Sequence, residues 1–273
     1  MGIILGIDVG GSTTKIVGLR GRSELAGELQ VKAADQITSM YGAIGNYLQK
    51  FDFTLSDIDK IVLTGVGASF FSGDIYGIRT VKADEFIAIG HGGLYLAELA
   101  EAFVISMGTG TAFVRASKDG IAHIGGSGVG GGTLIGLSSI MLNKRDIDAI
   151  MSLAEGGCAR NVDLMVKDIL NEDIPSLPEN LTAANFGKVK STARDTDIAL
   201  GIINMIVQTV GMMAVFASKN DTIKTFVVTG SLTALPQVEE ILGAVGAVFG
   251  LKFIIPQKAI FATAIGATLS HIP

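Results

Sequence analysis

Residues 6–19 read GIDVGGSTTKIVGL, and residues 105–116 read ISMGTGTAFVRA. Each stretch places an apolar run, a turn of glycines and hydroxyl residues, and a second apolar run in that order, which predicts two strands joined by a tight turn. The same unit occurring twice is an internal pseudo-repeat. Outward from the first copy, the patterns predict a third strand at 24–31, a helix at 35–50, a short strand at 60–64 and a longer helix at 84–101. Outward from the second, Asp119-Gly120 marks a hairpin followed by a short strand ending at Ile124. Helical patterns then dominate residues 133–218, broken by a polar, proline-containing loop at 171–180. The tail returns to a strand at 225–229, a helix from Pro236, a strand at 251–255 and a last helix from Ala259. This alternation predicts an α/β chain with a soft boundary near Glu101, between lobes 1–101 and 102–273 that close over a cleft.

The chain has 273 residues, enough for two domains of ordinary size and a sizeable core. Its charged share of 17% lies below the usual share of about 25%, which excludes intrinsic disorder and favours buried sheets. A formal net charge of -5 leaves no basic excess for a polyphosphate backbone, so nucleic acid is not an expected partner. The single cysteine, Cys158, forms neither an intrachain disulfide nor a thiolate cage for zinc or an iron–sulfur cluster, which fits a reducing compartment. The first residues lack the positive region of a secretory signal, reach Asp8 after a short apolar run, and put Gly6 where myristoylation needs Ser or Thr. Residues 201–217 are the most membrane-like, but the run is short and carries Asn204, Gln208 and Thr209, so a buried core helix is expected. By elimination the expected location is cytoplasmic, without membrane contact.

Three glycine-rich segments carry possible chemistry. In Asp8-Val9-Gly10-Gly11-Ser12-Thr13-Thr14-Lys15, the glycines let backbone amides approach an anion, while Ser12, Thr13 and Lys15 add donors. Asp8 would repel phosphate directly unless Mg²⁺ or its waters lie between them, the arrangement that nucleotide-dependent phosphoryl transfer needs. An ordinary hairpin turn with an acidic strand end explains the same residues. Gly108-Thr109-Gly110-Thr111 repeats the logic with neutral hydroxyl donors. Gly125 to Thr133 runs into a helical pattern, so its amides and the helix dipole form a third anion site. The Walker pattern is absent, because Gly187-Lys188 is followed by Val189. Gly126, Gly128 and Gly131 satisfy the dinucleotide fingerprint with Asp146 downstream, but Asp146 lies between helical patterns rather than at a strand end. Gly230-Ser231 follows a strand, where an open sheet places ligands.

Glu85, beside Asp84 at a helix start, is explained by the helix dipole and equally by a general base for an acceptor hydroxyl. His91 and His123 have no partner at metal or triad spacing.

The order D-x-G-G-S-x-x-K, a helix-start Glu, G-T-G-T, G-G-x-G-x-G-G-G, L-T-A-A-N-F-G at 181–187 and G-S at 230–231 resembles the type II pantothenate kinases over essentially the whole chain. The resemblance implies duplicated actin/hexokinase-like (ribonuclease H-like) domains flanking a cleft, with a helical insertion at 133–218. It implies ATP- and Mg²⁺-dependent phosphorylation of the primary hydroxyl of pantothenate, the first committed step towards coenzyme A, in a homodimer. Carried over by position, ATP phosphates lie against Asp8, Val9, Gly10, Gly11, Ser12, Thr13, Thr14 and Lys15, against Thr109, and against Gly131, Gly132, Thr133, Leu134 and Ile135. Ser231 lies near the adenosine. Glu85 takes the general-base position, with Asp8 and Lys15 completing the catalytic set and Asp8 holding the metal through water. The acceptor pocket takes Glu85, Ser106 and His123, with Ala183 and Ala184 supplied across the dimer. Where the family has an arginine this chain has His123, and an imidazole cannot make a guanidinium's forked contact, which opens the acceptor to relatives such as pantetheine. Arg115 is the candidate to take its place. A different class on the same fold is an ATP-hydrolysing regulator or activator, although one cysteine outside any C-x-x-C context argues against a cluster-bearing activator. Another small-molecule kinase is the remaining alternative.

Overall fold

The computed structural model describes residues 2–21, 24–32, 35–170 and 181–272. The loop expected at 171–180 lies outside the described residues. The opening strand β1 (Ile3–Val9) is apolar on both faces because both are covered. Ile3, Leu5, Ile7 and Val9 join Met40, Ala43, Ile44 and Tyr47 of helix α1 (Gln36–Lys50) in one core cluster. Those helix positions recur at i, i+3, i+4 and i+7, and Asp35 caps the helix by accepting from the Thr38 amide at 2.7 Å. On the other face, Ile4 packs with Val17 and Leu19 of β2 (Thr13–Arg20) against helix α7 (Ala262–Leu269).

Strand β3 (Glu24–Lys32) completes an antiparallel meander, while β4 (Ile58–Thr64) and β5 (Thr80–Lys82) add in parallel, giving the order β3-β2-β1-β4-β5. Helix α2 (Glu85–Ala97) follows. A second sheet contains β6 (Ala102–Met107), β7 (Thr111–Ser117), β8 (Gly120–Ser127), β11 (Thr225–Thr229) and β12 (Lys252–Ile254), ordered β12-β11-β6-β7-β8. Here β6 and β7 are antiparallel, and β6 and β11 are parallel. Taken from the hairpin side, β8-β7-β6-β11-β12 repeats β3-β2-β1-β4-β5 position for position. The pseudo-repeat in the sequence is therefore a repeat of topology, and the fold is the duplicated α/β architecture expected.

Helices α2 and α7 approach through glycine. A Cβ at Gly92 would land on the Ala262 carbonyl oxygen, and one at Gly266 on the Ala88 carbonyl oxygen, so only bare backbone permits this spacing.

The remaining elements are α3 (Gly131–Leu142), α4 (Ile147–Ala154), the short strands β9 (Leu164–Met165) and β10 (Thr182–Ala184), α5 (Asp195–Ser218) and α6 (Pro236–Phe249). By contacts the chain divides into one compact unit of Met1–Gly126, Thr225–Thr233 and Ile254–Pro273, and a second of Ser127–Lys224 and Ala234–Phe253.

Three local expectations are corrected. The helix expected to reach residue 101 ends at Ala97, where Glu98 adopts a left-handed cap with φ 54°. The helical expectation fails over residues 155–170 and 181–194, which hold 3-10 turns and the β9–β10 pair. Gly156-Gly157 interrupts the periodicity, and Asp163 binds backbone and side chains of this stretch instead of leaving them to a helix. Strand β8 extends to Ser127 and absorbs the first glycines of the third segment, because Gly126 lies so close to the Thr111 carbonyl that a Cβ would sit 2.6 Å from it. Helix α5 is long and apolar enough to cross a membrane by length and composition, and 56% of its most apolar window is buried. Ile202, Ile203, Ile206, Val207 and Val210 are among its buried residues, so it serves the second unit as a core helix.

Candidate active site

Strand register builds the centre of the first unit. Asp8 of β1 is paired with Lys15 of β2 on one side and with Thr64 of β4 on the other, so the three side chains share one face at the carboxyl end of β1. Ile4 and Val62, earlier on the same face, pack against Ala88 and Ala267 of α2 and α7; Asp8 lies just beyond this apolar stack. Asp8 and Lys15 are buried, and Lys15 Nζ donates to Asp8 Oδ2 over a long 3.4 Å. Thr64 is 0% exposed, and its Oγ1 has no hydrogen-bond partner.

Beyond this row the two glycine turns meet. The Gly10 amide donates to the Thr13 carbonyl at 3.0 Å, closing the β1–β2 turn. At its tip a Cβ on Gly11 would stand 3.5 Å from Thr109 Oγ1, at the tip of the β6–β7 turn. Two turns almost a hundred residues apart thus present amides and hydroxyls to one small space. Gly11, Ser12 and Thr109 are exposed there.

Two further glycines frame the turns. Gly65 has φ 86°, and a Cβ on it would meet Asp8 Oδ1 at 2.5 Å and the Val9 carbonyl at 2.8 Å. Gly230 has φ 94°, and its Cβ would meet the backbone of Met107 at 2.6–2.8 Å. Val9 and Met107 are the last residues of β1 and β6, so the two glycines occupy equivalent places in the repeats. Thr64 and Gly65 were not singled out from sequence. The available signal is the dipeptide Thr-Gly after a buried strand, in VLTGVG (62–67) and again in VVTGSL (227–232).

Asp84 caps α2, accepting from the Phe86 and Ile87 amides at 2.9 and 3.0 Å. Glu85, partly buried, has its pKa raised, first by desolvation and then by the negative charges of Asp8 and Asp84, with Lys15 opposing. Glu85 therefore lies in the field of the Asp8–Lys15 pair. His123 of β8 stacks on Phe86, with ring centroids 3.8 Å apart and planes 14° from parallel, which sets its imidazole next to the start of α2. Ser106 is paired with Thr229 and with Ala112, in the β6 position that Asp8 holds in β1. Arg115 is not placed to replace a cation at His123. It pairs with Phe103, whereas the adjacent Val114 and Val104 form the face on which α2 packs, so Arg115 belongs to the opposite face.

Ser231 begins a short 3-10 turn after Gly230. Gly131, Gly132, Thr133, Leu134 and Ile135 form the first turns of α3 in the second unit, where Thr133 Oγ1 donates to the Gly128 carbonyl at 3.0 Å. Ala183 and Ala184 are exposed on β10. Their loop is pinned by Asp163, which is buried and accepts from Asn204 Nδ2 at 2.7 Å, the Phe186 amide at 2.8 Å and Thr182 Oγ1 at 3.5 Å. Asn204 Nδ2 and Gln208 Nε2 also reach Thr182 Oγ1, at 3.1 and 3.2 Å. This network gives the Leu181–Gly187 motif a structural basis that its sequence did not disclose. Asp146 is the cap of α4 and accepts from the Ala149 amide at 3.2 Å, a role unrelated to a ribose. Cys158 is exposed and free. Among the described residues no group of three or more His, Cys, Asp or Glu is placed to hold a metal by itself.

Comparison with known proteins places this geometry in context. The family model described as Fumble matches residues 99–239, more than half of the chain. A protein named type II pantothenate kinase from Bacillus cereus (strain ATCC 10987 / NRS 248) is 27% identical over 241 residues, covering 83% of this chain and 82% of that protein. One of the same name from Staphylococcus haemolyticus (strain JCSC1435) is 27% identical over 275 residues, covering 96% and 98%. Among solved structures, the activator of 2-hydroxyisocaproyl-CoA dehydratase from Clostridium difficile, with bound ADPNP, superposes with a TM-score of 0.71 at 14% identity, covering 98% and 93%. A ROK family glucokinase from Streptomyces griseus, in complex with glucose and AMPPNP, gives 0.62 at 11% identity, covering 97% and 98%. These structural likenesses establish the fold.

Proposed function

This chain belongs to the Fumble family, and we propose that it is an ATP-dependent pantothenate kinase, transferring the terminal phosphoryl group of ATP to the primary hydroxyl of pantothenate at the entry to coenzyme A synthesis. The observation that carries the site assignment is the meeting of the Gly11 and Thr109 turn tips above the buried Asp8–Lys15 pair, with Glu85 in its field. The turn amides and hydroxyls grip the phosphate tail from two sides, and Lys15 contributes charge at its base. Ser231 serves the adenosine.

Magnesium fits the donor set. Asp8 is buried yet only loosely engaged by Lys15, the Thr64 hydroxyl beside it is unpartnered, and Gly65 leaves bare a space at Oδ1 that a Cβ would fill. Asp8 holds the ion through water, and a bound ion supplies charge neutralisation to the phosphate tail. Glu85 accepts the proton of the attacking hydroxyl. Its raised pKa makes it a better proton acceptor than an ordinary surface carboxylate. Phosphoryl transfer has a loose transition state, so positioning outweighs proton removal and Glu85 is a helper. Ser106 and His123 line the acceptor side, where the imidazole fixed on Phe86 gives a flat contact that also suits pantetheine.

We further assign the enzyme to the cytoplasm and to a homodimer. Ile140 and Met141 of α3 and Phe216 of α5, all exposed, support an apolar contact surface on the second unit, with Ala183 and Ala184 serving the partner's acceptor pocket.

Incubation with ATP and Mg²⁺, reading ADP release with and without pantothenate, pantetheine and amino sugars, tests the activity. Release that rises with pantothenate is expected; release indifferent to every acceptor would make the protein an ATP-hydrolysing regulator. Glu85→Gln should lower turnover by about 10²–10⁴ while leaving ATP affinity nearly unchanged. Wild-type turnover in that variant removes Glu85 from the chemistry.

A further inference from the structure

We infer that Thr64 is a positioning residue for Asp8, its hydroxyl orienting the hydrated cation that the Asp8 carboxylate holds, an inference that rests on the Mg²⁺–ATP site proposed above. Thr64 is entirely buried and its Oγ1 has no partner, which is an unfavourable state for a hydroxyl. The second repeat supplies an internal control. Thr229 holds the equivalent place at the end of β11, paired with Ser106 as Thr64 is paired with Asp8. Its Oγ1 donates to the Ile105 carbonyl of the neighbouring strand at 3.3 Å. The corresponding carbonyl for Thr64 is that of Ile7, yet the bond is not made. Both threonines are followed by a glycine of positive φ, so the local chain path is shared.

The repeats thus differ where one neighbouring strand residue is a carboxylate and the other a serine. Where the neighbour is Ser106 the threonine is spent on the backbone; where it is Asp8 the hydroxyl is kept available on the Asp8 face. A hydroxyl can accept from a cation-bound water or donate to a carboxylate oxygen, and either contact fixes the direction in which Asp8 presents its charge. The bare flank of Gly65 leaves the space for that shell.

Thr64→Val preserves shape and removes the hydroxyl, while Thr64→Ser retains it. In the unliganded protein Thr64→Val should melt at the wild-type temperature or above, because an unpartnered buried hydroxyl is lost. The same variant should need about tenfold or more Mg²⁺ to reach half of the thermal shift produced with a non-hydrolysable ATP analogue, and Thr64→Ser should restore the wild-type requirement. Kinase turnover should follow the same order. A Mg²⁺ requirement unchanged in Thr64→Val overturns the inference, as does a lowered unliganded melting temperature restored by serine, the mark of a structural hydroxyl. Because the thermal shift needs no acceptor, it separates failure of this inference from failure of the pantothenate assignment. Wild type showing no Mg²⁺-dependent shift with the analogue overturns both.

Discussion

Replacing Gly11 by alanine separates a turn that shapes the fold from a turn that receives an anion. Gly11 does not adopt positive φ, and the nearest atom to an added Cβ is Thr109 Oγ1 at 3.5 Å, an ordinary van der Waals contact. The unliganded protein therefore accommodates the methyl group. Its stability should stay the same or rise by about 0.4–1 kcal/mol through loss of unfolded-state freedom. The bound state is different. A phosphoryl oxygen accepting from the turn amides must come within about 2.9 Å of nitrogen, and a methyl group between the two tips denies that approach. Losing one charge-assisted hydrogen bond of about 1.5–3 kcal/mol weakens binding by about ten- to hundredfold. Calorimetry with an ATP analogue reads the affinity and differential scanning reads the stability of the same preparation. Wild-type nucleotide affinity in Gly11→Ala refutes the idea that the paired tips receive phosphate. Equal losses of stability and affinity would mean that Gly11 serves the fold alone.

Other perturbations probe the supports of the site. Asp84→Asn keeps a capping oxygen for α2 but removes a negative charge that raises the pKa of Glu85, so the acid limb of the kcat/KM profile should move to lower pH. The folded protein binds the Glu85 proton more tightly than the unfolded chain does, so wild-type stability falls as pH rises from the ordinary glutamate value through the raised one. Glu85→Gln should therefore gain in melting temperature at neutral pH and lose that gain in acid, as pH-dependent scanning will show. Gly230→Ala combines φ 94° with backbone contacts of 2.6–2.8 Å at Met107, and chemical denaturation should report a loss of at least about 2 kcal/mol. Asp163→Asn turns one carboxylate oxygen into a donor facing either Asn204 or Phe186, with a loss of about 1.5–3 kcal/mol and looser amide-exchange protection around residues 182–186.

Periodicity made the strand and helix order legible because most elements here bury one continuous apolar face, and the two glycine turns stood out because they interrupt such runs. What escaped notice depends on through-space neighbours. Thr64 is an ordinary strand end until the parallel register sets it beside Asp8. The stack of His123 on Phe86 joins residues 37 positions apart and leaves no local pattern. The non-helical path of residues 155–170 and 181–194 has the same origin: Asp163 reads as one acid among many, but buried against Asn204 it organises a non-helical loop. Glu85 was legible as a helix-start acid, yet its altered affinity for protons comes from Asp8 and burial, which only the fold brings to it.

Duplication also explains why the proposed catalytic load falls on one repeat. Both copies supply a glycine turn, a buried threonine and a glycine of positive φ, so the scaffold alone would give two equivalent anion grips. Charge breaks the symmetry. The first copy places Lys15 and Asp8 on adjacent strands; the second places Ala112 and Ser106 there, with neutral Thr109 at its tip. A grip made of two identical charged halves would crowd like charges around one phosphate chain, whereas one charged and one neutral half orients it. Exchanging the polarity tests this directly. Ser106→Asp should add a second carboxylate without a lysine across the strand pair, and nucleotide affinity should fall more steeply at low than at high ionic strength. A salt-independent loss would mean that Ser106 acts through shape, and the asymmetry of charge would then have no part in holding the nucleotide.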